Sequence, residues 1–289
     1  MVTSPRVLVP LALAATYLIW GSTYYGMAVA IRTLPPLRMG GIRYTIAGAL
    51  LMLILRWRGA ALPTVKQWKS AAIIGGLLLL IGNGAVGIAL QYINSSTTAL
   101  TIATTPAWAA IIAIFFTGAR PRRLEWAGIA LGIIGVALLH YKNPLPLHPL
   151  GLTLLLIATV SWAWGSIWSR YLDQASGLMA SSAQMLAGGL MLLVASLVMR
   201  ETGAEPASPR SLTALAYLIV FGSMIAFSAY GYLVKTVQPA LATSNALVNP
   251  LVAVVIGAGL GGEPLSPMVF AAMFVILAGV GLVALAKGR

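Results

Sequence analysis

The sequence predicts an all-α integral membrane protein of ten transmembrane helices, arranged as five plus five in an inverted-topology repeat with both termini cytoplasmic. Three observations predict it. The composition is 60% hydrophobic and 8% charged over 289 residues, with a mean hydropathy of +0.93, whereas a soluble domain carries about 25% charge. Apolar stretches of about 20 residues, the length that crosses a bilayer, follow one another with only short breaks. Finally, the second half repeats the first: Pro250 lies 144 residues after Pro106, and the same offset lays Gly118 on Gly262, Gly135 on Gly279 and Trp20-Gly21-Ser22 on Trp164-Gly165-Ser166. A period of half the chain is a duplicated unit rather than a solenoid. Residues 1–144 form the first copy and 145–289 the second.

Taken in order, the spans are expected near 7–31, 37–56, 69–92, 95–117, 124–141, 149–170, 177–199, 211–234, 239–261 and 267–286, each bounded by charges or by Pro/Gly clusters. Arg6, the apolar run behind it and Ala12-Leu13-Ala14 have the outline of a signal peptide. Trp20 belongs to the repeat, which argues that the first helix is retained. The boundary between the third and fourth spans is marked only by Ile93, Asn94 and Ser95. With the N-terminus inside, twelve Lys and Arg fall on the cytoplasmic side against five on the other, which is the positive-inside bias. Five helices per copy is an odd number, so the second copy enters the membrane upside down. Inverted repeats of this kind characterise secondary transporters, whose halves move about a site near the midplane.

The absence of cysteine removes thiol catalysis, thiolate metal sites and disulfides. The net charge of +13 does not point to nucleic acid, because the basic residues sit in short clusters between apolar spans and present no basic face. All five acids (Glu125, Asp173, Glu201, Glu205, Glu263) lie at span ends or in loops, away from the midplane where proton relays stand. His140 and His148 flank an outer loop, and there is no P-loop. No enzyme, cofactor or metal site is expected. The driving force is expected to be the substrate's own gradient.

Candidate substrate-binding residues come from polar and aromatic side chains deep in spans. Trp20 and Tyr24 are four apart and share a helix face, and so do their echoes Trp164 and Trp168. They line a central cavity if those faces point inward; the alternatives are an aromatic belt at the headgroups or simple packing. Trp57, Trp68 and Trp126, at span ends beside charges, read as belt residues. Thr101, Thr105 and Trp108 fall on one face of the fourth span, and Asn245, Asn249 and Val252 occupy the equivalent places in the ninth. An unpaired amide at mid-membrane costs several kcal/mol, which favours the cavity for Asn245 and Asn249. For Asn83 in the third span, the cavity and a plain interhelical hydrogen bond stand equal. Pro106 and Pro250 free the carbonyls of Ile102 and Ala246 and are hinge candidates, a static kink being the alternative. Arg43 is the charge that lies within a span. Six residues from the helix start, it is within reach of the outer face by snorkelling, and a structural role is expected. Gln184 is assigned no role.

These residues also carry a resemblance. Trp20-Gly21-Ser22 and its echo, Arg43-Tyr44 leading into Ala47-Gly48, Thr104-Thr105-Pro106, Val248-Asn249-Pro250, Gly262-Glu263 and the glycines of the fifth and tenth spans resemble, in order and spacing, the EamA-type ten-helix exporters of the drug/metabolite transporter superfamily. The resemblance covers nearly the whole chain and is nearest to exporters of aromatic and neutral amino acids. It departs at Ala119, where the usual Gly-Glu is missing from the first copy and Glu263 is left without a symmetric partner. The resemblance implies a bacterial plasma-membrane exporter of small metabolites, foremost neutral and aromatic amino acids, working by alternating access. The expected partners are a small-molecule substrate and the lipid bilayer, with monomer and dimer both open. A nucleotide-sugar or drug transporter of the same fold is the alternative, although a nucleotide sugar would want buried arginines or lysines. A structural membrane protein also remains open, using Gly128 with Gly132 and Gly257 with Gly261 to pack or dimerise helices.

Overall fold

The apolar runs become helices because a bilayer offers backbone N–H and C=O groups no partner outside the chain. The computed structural model describes residues 5–93, 98, 101–118, 120–139, 148–202, 206–261 and 267–286, and among these residues every regular element is helical. In chain order they are α1 (Pro5–Ala30), α2 (Pro36–Trp57), α3 (Val65–Ala89), α4 (Thr105–Thr117), α5 (Arg123–Leu139), α6 (Pro149–Trp168), α7 (Leu178–Val198), α8 (Pro209–Thr236), α9 (Pro239–Ala242), α10 (Asn245–Gly261) and α11 (Pro267–Leu285). Six of them, α1, α2, α3, α6, α7 and α8, are long and apolar enough to cross a membrane, and Thr105–Thr117 and Phe270–Val283 are shorter apolar helices. Large apolar side chains such as Leu53, Phe115, Leu197 and Phe274 stand exposed on the perimeter. In water such a surface would be an aggregation hazard; in lipid it is the solvated face.

Local signals set the helix starts. Thr64 and Gln67 form a capping box at the head of α3, with the Thr64 N–H donating to Gln67 Oε1 at 3.0 Å and the Gln67 N–H to Thr64 Oγ1 at 3.3 Å. Helix α2 has Pro35 as its N-cap and no side-chain cap of its own. Glu201, which follows α7, supplies one: its carboxylate accepts from the Leu37 N–H at 3.1 Å and the Arg38 N–H at 2.9 Å. A carboxylate on two orphan donors at the positive end of a helix is a favourable pairing. Replacing Glu201 by alanine is expected to lower stability by about 1–3 kcal/mol, read as a drop in melting temperature in detergent, with glutamine in between. An unchanged melting temperature would mean that water caps α2 as well.

Lipid tails are as apolar as leucine, so helices in a membrane associate by close packing rather than by exclusion of water. The tightest packing joins the halves of the chain. Helix α2 lies along α7, where a Cβ on Gly48 would stand 2.5 Å from the Leu186 nitrogen and one on Gly189 would stand 2.4 Å from the Thr45 nitrogen. Helix α5 lies along α11, with Gly128 and Gly279 each against the other's carbonyl oxygen at 2.6 Å from a built Cβ. Gly128 and Gly132 are thus used within the chain. The surroundings of Gly257 and Gly261 lie outside the described residues. One apolar core fills the space between α1, α2, α3, α7 and α8, around Tyr44, Leu79, Met185 and Phe227, and a smaller one joins α5, α10 and α11 around Val136, Leu251 and Ile276.

Two features differ from uniform rods. Both α3 and α8 loosen into π-helix, over Gly76–Asn83 and Leu218–Ile225 respectively. The fourth and ninth spans are each interrupted: a turn at Ala103–Thr104 separates the helical residues 101–102 from α4, and a turn at Thr243–Ser244 separates α9 from α10. Pro106 is therefore not at the centre of a continuous helix. It occupies the first turn of α4, where its missing N–H would have been an orphan in any case. Pro250 does lie inside a helix, the sixth residue of α10.

Candidate functional site

The two interruptions and the π segment of α3 converge on one cavity, and the π segment of α8 stands behind its wall, bonded to Trp20 and Arg43. Its space for water-sized occupants is about 100 Å³. From the first half, α1 contributes Trp20, Thr23, Tyr24 and Met27; α2 contributes Arg43 and Tyr44; and α3 contributes Gly82, Asn83 and Val86. Ile102 and Thr105 flank the turn before α4. From the second half come Ala158, Thr159 and Trp162 of α6, Thr243 of the turn before α10, and Asn245, Ala246 and Asn249 of its first turns. The helices α4 and α10 begin at this wall, so both turn their positive dipole ends toward it.

The geometry explains several residue choices. Pro106 cannot bond the Ile102 carbonyl, and the Thr105 hydroxyl donates to that oxygen at 2.6 Å instead. Ala246, the residue that Pro250 leaves without its helical bond, is itself on the wall. A π-helix offers carbonyls that its own turn does not fully use, and such segments recur at functional sites. Here each is reached from the first helix of the other half: Trp20 Nε1 donates to the Gly222 carbonyl at 2.9 Å, and Ser161 Oγ donates to the Leu77 carbonyl at 2.8 Å. The same α8 segment presents Ser223, whose Oγ accepts from Arg43 Nε at 2.7 Å.

Arg43 does not snorkel. It is 3% exposed, lines the cavity, and its guanidinium carbon stands 4.7 Å from the centroid of the Tyr44 ring. The route to the outer face is not taken because Ser223 and the narrow Gly222 of α8 hold the side chain inward. No Asp or Glu lies on the cavity wall among the described residues. Glu201 caps α2, Asp173 pairs with Lys66 at 3.5 Å in an exposed bridge, and Glu125 begins α5. Glu205, Glu263, Ala119 and His140 lie outside the described residues.

Six of the residues singled out in the sequence are brought together here: Trp20, Tyr24, Asn83, Thr105, Asn245 and Asn249. The structure places the other four elsewhere. Trp164 faces outward, 39% exposed, with its ring edge-on to Phe116 at 5.7 Å. Trp168 packs on the apolar core of α2, α3, α7 and α8, and Trp108 packs against Ala163 and Ile167. The Thr101 carbonyl accepts from the Thr104 hydroxyl at 2.7 Å, at the turn rather than on the wall. On α6 the inward tryptophan is Trp162, two residues from Trp164 and so on the opposite side of the helix. The signal was in the sequence: Thr159, Trp162 and Ser166 form a polar-tipped stripe at i, i+3 and i+7.

A second cavity of about 290 Å³ adjoins this one, between α3, α6, α7 and α8. Ser169, Gln174, Ser181, Gln184, Ser228 and Lys235 give it a polar lining. Gln184 donates to Gln174 Oε1 across it. Four rings stand between the two spaces. Trp20 and Trp162 face the first; Phe227 and Tyr230 face the second. Trp20 meets Trp162 edge-on at 5.7 Å and Tyr230 at 5.0 Å, and Trp162 meets Phe227 at 6.5 Å. Trp162 Nε1 donates to the Tyr230 hydroxyl at 2.8 Å, and that hydroxyl shares a 2.6 Å hydrogen bond with Ser166 Oγ.

This arrangement has relatives. The sequence model of the EamA-like transporter family matches residues 8–141 and again residues 149–285. A protein of Escherichia coli (strain K12) called "uncharacterized inner membrane transporter YedA" is 44% identical over 285 residues, which cover 98% of this chain and 93% of that protein. The "uncharacterized transporter YoaV" of Bacillus subtilis (strain 168) is 24% identical over 86% of this chain and 87% of its own length. A solved structure named only "Crystal structure of protein" is similar with a TM-score of 0.79 over 97% of this chain and 98% of its own, at 19% identity. That likeness shows the fold alone.

Proposed function

We propose, from the premise that this chain belongs to the EamA-like transporter family and is a multi-pass protein of a bacterial inner membrane, that it exports small metabolites, foremost neutral and aromatic amino acids. It works by alternating access about the first cavity. The observation that carries this reading is the composition of that wall. Trp20, Tyr24, Tyr44 and Trp162 supply flat apolar faces, and Asn83, Thr105, Asn245 and Asn249 supply amides and hydroxyls. Stacking surfaces with a few placed polar groups suit a small amphipathic solute.

The transport cycle follows from the size and the seams of the site. About 100 Å³ is well below the roughly 300–1,000 Å³ of pockets that enclose drug-sized ligands. Entry of a substrate then requires the walls to move apart, and a nucleotide sugar is disfavoured further. Both halves contribute to the cavity, and the interruptions at Ala103–Thr104 and Thr243–Ser244 give each half a place to flex, with Pro106 and Pro250 as the proposed hinges. In this reading residues 1–144 and 145–289 are inverted copies of a five-helix unit, both termini are cytoplasmic, and the substrate's own gradient drives flux.

Uptake into liposomes of labelled phenylalanine, threonine, methionine, glutamate and a nucleotide sugar, with and without a pH gradient, tests the proposal. The expected result is saturable uptake of the neutral amino acids, indifferent to the gradient and slowed when Pro106 and Pro250 are replaced by alanine. Uptake of the nucleotide sugar alone would overturn the substrate class. Stimulation by the pH gradient would overturn uncoupled transport, and Glu263 would be the next residue to replace.

A further inference from the structure

The wall of the first cavity is polarised. On α2 it carries a cation with no counter-ion among the described residues. Arg43 spends its Nε on Ser223, and no described residue accepts a hydrogen bond from its two Nη groups. A buried charge left in that state is costly unless something anionic completes it, and a guanidinium fork is shaped for a carboxylate. On α10 the wall carries the opposite need. Asn245 and Asn249 are 8% and 3% exposed; the Asn249 side chain bonds Tyr24, yet among the described residues the Oδ1 atom of each is buried without a hydrogen-bond partner. Two unsatisfied acceptors on one face, one turn apart, call for a donor rich in N–H.

Resting on the amino-acid reading above, we propose that Arg43 binds the substrate's carboxylate while Asn245 and Asn249 bind its ammonium group, so that the cavity selects zwitterions over amines and acids. The aromatic faces of Trp20 and Trp162 then meet the side chain, whose identity they read only by size and flatness. An amine lacking the carboxylate would leave Arg43 bare and place a second cation beside it. An acid lacking the ammonium would leave both amide oxygens unpaired.

The test is competition against labelled phenylalanine uptake in liposomes, using phenylalanine, phenethylamine and 3-phenylpropanoate, with methionine and its matching amine and acid as a second series. In the parent protein each truncated analogue is expected to compete about 10- to 100-fold less well than its amino acid, as the loss of one charge-assisted pairing implies. Arg43→Gln should weaken the amino acid by a similar factor and, by removing the repelling cation, strengthen phenethylamine, so that the gap between them closes. Arg43→Lys, which keeps the charge without the fork, should fall between. Asn249→Leu should instead bring 3-phenylpropanoate level with the amino acid. A merely structural Arg43 would weaken all competitors together, and that result overturns the assignment, as does equal competition by phenethylamine in the parent. If amino acids are transported but the analogues compete equally, the subsites fall and the substrate class stands. If no amino acid is taken up, the substrate class falls and the subsites fall with it.

Discussion

Gly189→Leu is expected to yield a chain that no longer reaches its native packing. A Cβ at Gly189 would lie 2.4 Å from the Thr45 nitrogen and 2.9 Å from the Tyr44 carbonyl carbon. Those are backbone atoms of a facing helix, so no rotamer change relieves the contact. The reciprocal contact on α2, Gly48 against the Leu186 nitrogen at 2.5 Å, makes the seam equally tight on both sides. Overpacking in a close-packed interior costs about 1–3 kcal/mol, occasionally more, and a branched side chain against backbone belongs at the upper end. The consequence extends to the site, because the part of α2 that would be pushed away carries Arg43 and Tyr44. Fluorescence-detected size exclusion and melting in detergent would report aggregated or early-melting protein. Gly281→Ala, with nothing within 4 Å of its built Cβ, should melt like the parent. If Gly189→Leu also melted like the parent, the α2–α7 seam could not be this close in the folded protein.

How far this arrangement could be read beforehand depended on whether the relevant physics was local. Helix positions were legible because the bilayer turns any long apolar run into a helix; Val65–Ala89 was expected near 69–92, its start hidden only in the Thr64 and Gln67 cap. The interruption before α4 was half legible. Pro106 announced a break in the hydrogen-bond ladder, but the turn falls two residues earlier, at Ala103–Thr104, where a proline next to it can start a helix without loss. The π segments left no mark, since hydropathy is blind to whether a carbonyl is bonded four or five residues on. Side-chain direction was the hardest property. A membrane helix that is apolar all round has no amphipathic face to orient it, and the repeat suggested Trp164 where the polar-tipped stripe of α6 brings in Trp162. The direction of Arg43 was not legible, because depth along its own helix leaves snorkelling within reach, while Ser223, which turns it inward, comes from α8.

Opening the aromatic partition should expose the first cavity from the side of the second. The partition is four rings, with Trp20 fastened to the Gly222 carbonyl and Trp162 fastened by one hydroxyl: Tyr230 accepts from Trp162 Nε1 and bonds Ser166. Tyr230→Phe keeps the ring and leaves a buried indole N–H without a partner, at a cost of about 1–3 kcal/mol. That cost falls on the closed arrangement alone if the indole finds water when the rings part, so the closed-to-open ratio should fall by about 5- to 150-fold. Trp162→Ala removes the ring itself, and the two spaces should then join. The native chain has no cysteine, so Ala246→Cys, on the wall of the first cavity, gives a clean reporter. Its labelling by a membrane-impermeant maleimide applied from the Lys235 side should accelerate about 10-fold in Tyr230→Phe, within the range just given, and further in Trp162→Ala. With the partition open, uptake of an amino acid should lose its saturation, since a site open to both sides conducts rather than alternates. If Trp162→Ala left the labelling rate unchanged, the barrier would lie elsewhere along α3 and α8. The second cavity would then be a dead end in the surface, and the four rings no more than packing.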